Sequence, residues 1–305
     1  MRNRLRSTVA ALACALTVAV AAPTASAAST APTASAPDSG SAPDSGSPSA
    51  SNSGWNDWSC RPSAAHPEPV VLVHGMGGNG VDNFLTLAPA LVAHGYCAYS
   101  ETYGQTVLGP LAGGLAPMAG SAAELSAFVD RVRAATGAAK VDIVGHSEGT
   151  TVPAYYMKAL GGAAKVDRFV GFGSNFRGTT LDGLGALASA IHLQAILDGV
   201  GCGACADFLP GSAFLATLDD GPVAVPGPVY TSIVSRYDQV VTPYTSGLLD
   251  GPNTTNIVLQ DVCGLDFTGH VGQAVDPNVT QLVLNRLDPA HAAPFVCLPF
   301  FDFGV

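Results

Sequence analysis

Positive charge is scarce in this sequence. Of 305 residues only 13 are Lys or Arg, three of them lysines, against 23 Asp or Glu, for a formal net charge of −10. A nucleic-acid partner requires a basic footprint, and this chain has none to offer. Charged residues of either sign reach only 12%, while hydrophobic residues reach 48%, which excludes global disorder. No apolar run attains the roughly 20 residues of a membrane span, so stable membrane insertion is not expected. Glycine (35) and proline (22) are plentiful but follow no Gly-X-Y period, which excludes a collagenous chain. Neither a second closely spaced cysteine pair nor a histidine cluster accompanies Cys202-Gly-Ala-Cys205, so its spacing does not read as a metal site.

What is present begins with export. Arg2, Arg4 and Arg6 form a positive head, an apolar run follows from Thr8 to Ala22, and Ala25-Ser26-Ala27 is an A-x-A cleavage site. Residues 1–27 are therefore expected to be a secretory signal peptide and the product to be extracellular. Losing the three arginines takes the net charge from −10 to −13, which disfavours attraction to anionic membranes. Residues 28–54 repeat Ser-Ala-Pro-Asp-Ser-Gly and hold nothing bulky to bury, as expected of a disordered linker. Trp55 and Trp58 mark the start of one folded domain, 55–305. Six cysteines remain in it, an even set read as three disulfides; the sequence alone permits about fifteen connectivities, of which Cys60–Cys97, Cys202–Cys205 and Cys263–Cys297 is the one expected here.

From Pro69 the pattern alternates between short apolar runs and helical periods. Strands are expected at 69–73, 96–101, 141–144, 166–172, 229–235 and 256–260. Helices are expected at 82–94 with Asp82 as cap, at 121–135 with a Ser121/Glu124 capping box, at 148–160 and at 276–287. Such alternation implies a mostly parallel sheet with helices on both faces. The exception is 174–226, an insertion with little strand signal.

The strongest local signal is Gly145-His146-Ser147-Glu148-Gly149, a G-x-S-x-G motif between an expected strand and an expected helix. A serine on such a turn projects its hydroxyl above the sheet edge, and glycines on either side allow strand and helix to approach. The hydroxyl is a weak nucleophile without a base, and the base needs an orienting acid. With this elbow the order is nucleophile, acid, histidine. His270 lies between the last strand and the last helix, unlike His192 in the insertion and His291 beyond the last helix. Asp238 directly follows the strand at 229–235, whereas Asp219 and Asp220 precede it; Asp261 and Asp266 are the fallback. The oxyanion hole needs two N–H donors. Glu148, after the nucleophile, and Met76, in the His74-Gly75-Met76-Gly77-Gly78 loop, are the expected pair. His74 and His146 read as loop-holding groups and not as bases.

These residues together resemble the α/β-hydrolase superfamily, and within it the secreted bacterial lipases of the class 2 group. The segment Tyr96-Cys97-Ala98-Tyr99 and the Gly178-Thr179-Thr180 stretch add to that resemblance. It implies an α/β-hydrolase fold with 174–226 as a small cap or lid. It further implies a serine carboxyl-ester hydrolase that needs no cofactor and no metal, acting on a lipid or other apolar ester. Leu184, Leu187 and Ile191 fall near one helical face of the insertion and are the expected substrate-binding residues. Glu148 departs from the apolar or Gln residue that many lipases carry there. An esterase, a polyester hydrolase or an acyltransferase would use the same triad, and a binding protein could keep the fold without the activity. Nothing in the sequence demands more than a monomer.

Overall fold

The computed structural model describes residues 55–180, 182–185 and 202–301. The expected signal peptide and linker, together with Leu187 and Ile191, lie outside the described residues. Six strands form one wholly parallel sheet: β1 (Val70–Val73), β2 (Ala98–Ser100), β3 (Val141–His146), β4 (Val166–Phe172), β5 (Val229–Val234) and β6 (Thr254–Val258), in the order β2-β1-β3-β4-β5-β6. β1 explains why the sheet must be covered twice. All four of its residues are buried, and the pleat sends alternate ones to opposite faces. Val71 and Val73 join a cluster built by α2 (Met118–Thr136) and α3 (Glu148–Ala159), including Leu125, Val129 and Val152. Val70 and Leu72 join a second cluster with α1 (Leu87–Ala93) and the last helix (Pro277–Leu287), including Leu91, Val279 and Val283. The fold is therefore the expected α/β type with helices on both faces.

Several boundaries differ from the sequence pattern for local reasons. Asp82–Phe84 forms a separate 3-10 turn, and α1 starts only at Leu87. Asp82 caps no helix; its carboxylate accepts the Asn79 backbone and side-chain N–H groups at 2.9 and 2.7 Å. Helix α2 starts about a turn earlier than the Ser121/Glu124 capping box implied. Pro117 is its cap residue, with φ −54°, and the Met118 N–H is satisfied by Asp207 Oδ2 at 2.8 Å. Ser121 is buried inside the helix, and Glu124 turns away to accept the Gly104 N–H at 2.9 Å. At the far edge β6 ends at Val258, and Leu259–Val262 coils into a helical turn.

Two short helices, Gly203–Asp207 and Ala213–Asp219, come from the inserted segment. The first is pinned over the entrance to α2 by Gly203 N–H to the Leu115 carbonyl at 2.9 Å. The cysteines pair as Cys60–Cys97, Cys202–Cys205 and Cys263–Cys297. The last bridge ties the tail beside a two-stranded parallel ribbon, β7 (Asp266–Phe267) with β8 (Phe300–Phe301).

The strand order also decides where function can sit. From β1 the chain moves to one side to form β2, then to the other side to form β3. The carboxyl ends of β1 and β3 therefore border the point where the connections diverge, and a crevice opens there in parallel sheets. The His74–Gly78 loop and the Gly145–Gly149 elbow leave the sheet at that point.

Candidate active site

Ser147 joins β3 to α3 with φ 56° and ψ −124°, a backbone conformation that L-residues rarely adopt. The tightness of the turn accounts for both glycines. A Cβ on Gly145 would overlap the Gly149 carbonyl, and one on Gly149 would overlap the Val73 carbonyl. A Cβ on Gly75 would come within 3.0 Å of the Ser147 Cβ, so the loop after β1 rests directly on the serine.

Three side chains from distant parts of the chain meet at this turn. Ser147 Oγ lies 2.7 Å from His270 Nε2, and His270 Nδ1 lies 2.7 Å from Asp238 Oδ2. Because Nδ1 donates to a carboxylate, Nε2 is left as acceptor for the serine hydroxyl proton. His270 is fully buried, Ser147 is 3% exposed and Asp238 is 8% exposed. Asp238 is held further by Val240 and Val241 N–H groups on Oδ1, at 2.9 and 2.7 Å. Burial works to raise its pKa, but the His270 charge and hydrogen bond and these two N–H donors outweigh it, and the net shift is downward. The fallback acids are occupied elsewhere. Asp261 pairs with Arg236 at the surface at 2.7 Å, and buried Asp266 accepts from Thr268 N–H and Asn278 Nδ2. His291 pairs with Asp288 on the surface at 2.9 Å, and His192 lies outside the described residues.

The two other histidines link loops. His74 donates Nδ1–H to the Gly75 carbonyl at 2.8 Å and accepts the Tyr103 N–H on Nε2 at 3.3 Å. His146 gives Nε2–H to the His270 carbonyl at 3.1 Å and accepts from Asn83 Nδ2 at 3.0 Å, while Asn83 Oδ1 takes the Gly75 N–H at 2.7 Å. One hydrogen-bonded line thus joins the glycine loop, the elbow and the His270 loop. Burial pushes His74 down to about 4, and burial with the His270 charge pushes His146 down to about 3, so both stay neutral at ordinary pH. Sequence reasoning missed Asn83, Gln239 and Gln273. Gln239 Oε1 accepts the His270 N–H at 3.1 Å, and Gln273 bridges Asp238 and the Gly173 N–H at 3.3 and 2.9 Å. Amides of this kind carry no pattern of their own; only their closeness to Gly75, Asp238 and His270 in the chain hinted at a role.

Around the opening, Glu148 is the first residue of α3, so its N–H lacks an intrahelical acceptor. Met76 is nearly buried, and its Sδ rests 3.8 Å from Cys205 Sγ and 4.0 Å from Cys202 Sγ. Leu184 is half-buried against the same hydrophobic cluster that holds Met76.

The family model for Lipase (class 2) matches residues 67–283. A triacylglycerol lipase of Pseudarthrobacter phenanthrenivorans and one of Burkholderia plantarii are each 36% identical over 99 residues, 30% of this chain. That match spans only 28% and 25% of the two relatives' own lengths. Among solved structures, Aspergillus fumigatus lipase B is similar with TM-score 0.58 and 19% identity, over 78% of this chain and 57% of that one. The mature form of a Bacillus licheniformis lipase is similar with TM-score 0.52 and 18% identity, over 73% and 92%. At such identities the structural likeness speaks for the fold alone. Since the family model covers more than two-thirds of the sequence, the chain belongs to the class 2 lipase family and has its α/β-hydrolase fold.

Proposed function

We propose that this protein is an exported serine hydrolase of carboxylic esters whose substrates are lipid or other apolar esters. The observation that carries the reading is the buried Ser147–His270–Asp238 line, two hydrogen bonds of 2.7 Å at the switch point of a class 2 lipase fold. Ser147 Oγ attacks the ester carbonyl carbon while its proton passes to His270 Nε2. The carbonyl becomes an oxyanion, met by the Met76 and Glu148 N–H groups. Asp238 holds the ring orientation and offsets the imidazolium charge. Collapse of the intermediate breaks the bond to the alcohol, which leaves with the proton from Nε2. Water repeats the sequence on the acyl-enzyme and frees the acid.

An apolar substrate is supported by the family and by the rim of the loops. Val81, Leu85, Val107 and Leu111 are exposed, at 54, 60, 83 and 79%. Asn79 Nδ2 bonds the Leu111 carbonyl at 3.3 Å, so the two loops bearing them adjoin. Three disulfides and the signal-like N-terminus support export. In this reading residues 1–27 are removed, 28–54 tether, and 55–305 form the enzyme.

A p-nitrophenyl ester series of increasing acyl length, on wild type and Ser147→Ala, tests the proposal. Turnover is expected to persist into long chains and to vanish in the alanine variant. No turnover at any length ends the hydrolase reading, and full activity in Ser147→Ala ends the nucleophile assignment. Turnover of short, soluble esters alone points to an esterase, and product capture by an added alcohol points to acyl transfer.

A further inference from the structure

No step of the reaction above uses the side chain of Glu148, and its setting is unusual for a carboxyl group. It is fully buried, and neither oxygen has a hydrogen-bond partner. Both oxygens face the space beside Gly114 that a side chain there would fill. A Cβ added there would lie 3.2 and 3.3 Å from them and 3.1 Å from the Met76 Cα. The carboxyl is therefore wedged between the first turn of α3 and the place where two loops meet. Those loops are tied by Gly77 N–H to the Gly113 carbonyl and Gly113 N–H to the Gly78 carbonyl, both at 2.8 Å. The groups acting on it are the Tyr103 hydroxyl, from the loop after β2, and the Asp207 carboxylate, from the helix Gly203–Asp207; neither is a cation. The Tyr103 hydroxyl gives its proton to the His74 carbonyl at 2.8 Å, which leaves its oxygen free to accept. An ionised carboxylate here would be buried without a partner, and it would stand behind the very backbone that must stabilise an oxyanion. Burial pushes Glu148 well above the usual carboxylate range, and the Asp207 charge adds to that shift; the Tyr103 hydroxyl would oppose it only by turning its proton from the His74 carbonyl to the carboxylate.

We propose that Glu148 is a positioning residue carried as the neutral carboxylic acid, its proton turned toward the Tyr103 oxygen and its bulk holding the Met76 backbone in register with the Glu148 N–H. This deepens the ester-hydrolase reading and rests on it. The side chain touches no reacting atom; it sets the spacing of the two donors that do.

Two readouts test it on the full chain. Infrared difference spectra of wild type minus E148Q at about pH 8, far above an ordinary carboxyl pKa, should contain the carbonyl stretch of a protonated carboxylic acid. The same band should appear in a Ser147→Ala background, where there is no turnover. In kinetics, E148A should lower kcat about tenfold at little-changed KM, because misplaced donors act on the transition state. E148Q, neutral and of matching size, should recover most of that loss. Absence of the acid band overturns the proposal. So does E148Q as impaired as E148A, or E148A with wild-type kcat. An acid band in a protein that hydrolyses no ester keeps the neutral acid and removes the hydrolase reading instead.

Discussion

Single residues carry the strain and the proton bookkeeping of the site. The positive φ of Ser147 is tolerated because Gly145 and Gly149 leave room for a turn that any Cβ would block. Gly149→Ala should therefore cost at least about 2 kcal/mol, as overpacking against rigid backbone does, and should abolish ester turnover; a urea midpoint equal to wild type would contradict this. Asp238→Asn should keep the fold but lower kcat by about three to four orders of magnitude, because an amide stabilises the wrong histidine tautomer. Steady-state kinetics with a soluble ester would decide it. Glu148 makes a thermodynamic prediction of definite sign. Its folded pKa is raised, so above about pH 4.5 the unfolded chain releases a proton that the folded chain keeps, and stability falls with rising pH. The stability of E148Q relative to wild type should grow by up to about 1.4 kcal/mol per pH unit over that range. Denaturation midpoints of the pair at several pH values would show it, and a constant difference would refute it. His74 and His146 have the opposite sign. Their contribution is present above about pH 6.5 and is lost as pH falls toward their depressed values. Only the wild-type-to-variant difference isolates Glu148.

At the scale of elements, the surprises lie where one element borrows a group from another. Helix α2 begins at Met118 because Asp207, from a helix 89 residues downstream, takes the first N–H. Read alone, Ser121 and Glu124 look like a cap; in the fold the serine is inside the helix and the glutamate serves Gly104. The Cys202–Cys205 bridge closes only a short loop, yet it braces Met76. Replacing both cysteines by serine should accordingly lower kcat more than KM while costing little stability, about 2 kcal/mol on loop-closure grounds. The longer Cys60–Cys97 and Cys263–Cys297 bridges, with separations of 37 and 34 residues, should each be worth about 4 kcal/mol by the same argument. Thermal or urea unfolding of the three double variants would give the order, and a short bridge worth as much as the long ones would sink the loop-closure account.

At the scale of the whole molecule, one wholly parallel sheet collects the site from four regions of the chain. The loop after β1, the turn after β3, the loop after β5 and the loop before the last helix all leave at the carboxyl edge. The low charge content noticed first in the sequence now divides between two buried clusters, one on each face of that sheet. It also shows in Val107 and Leu111, both exposed on the segment that follows β2. Replacing Val107 and Leu111 together by serine should depress turnover on emulsified esters more than on soluble ones. Equal losses on both would contradict a role for the pair in meeting an apolar substrate.

The sequence by itself determined the alternation of strands and helices, and it singled out Ser147, Asp238 and His270, which the fold brings within hydrogen-bond reach. Those signals are local: a period, a motif, a position just after a strand. It could not show the amides of Asn83, Gln239 and Gln273, the early start of α2, or the buried, unpaired Glu148 carboxyl. Each of these depends on which backbone group from another segment stands within about 3 Å, the reach of a hydrogen bond. Tertiary structure alone decides that, because burial converts such a neighbour from an option that water could replace into a requirement.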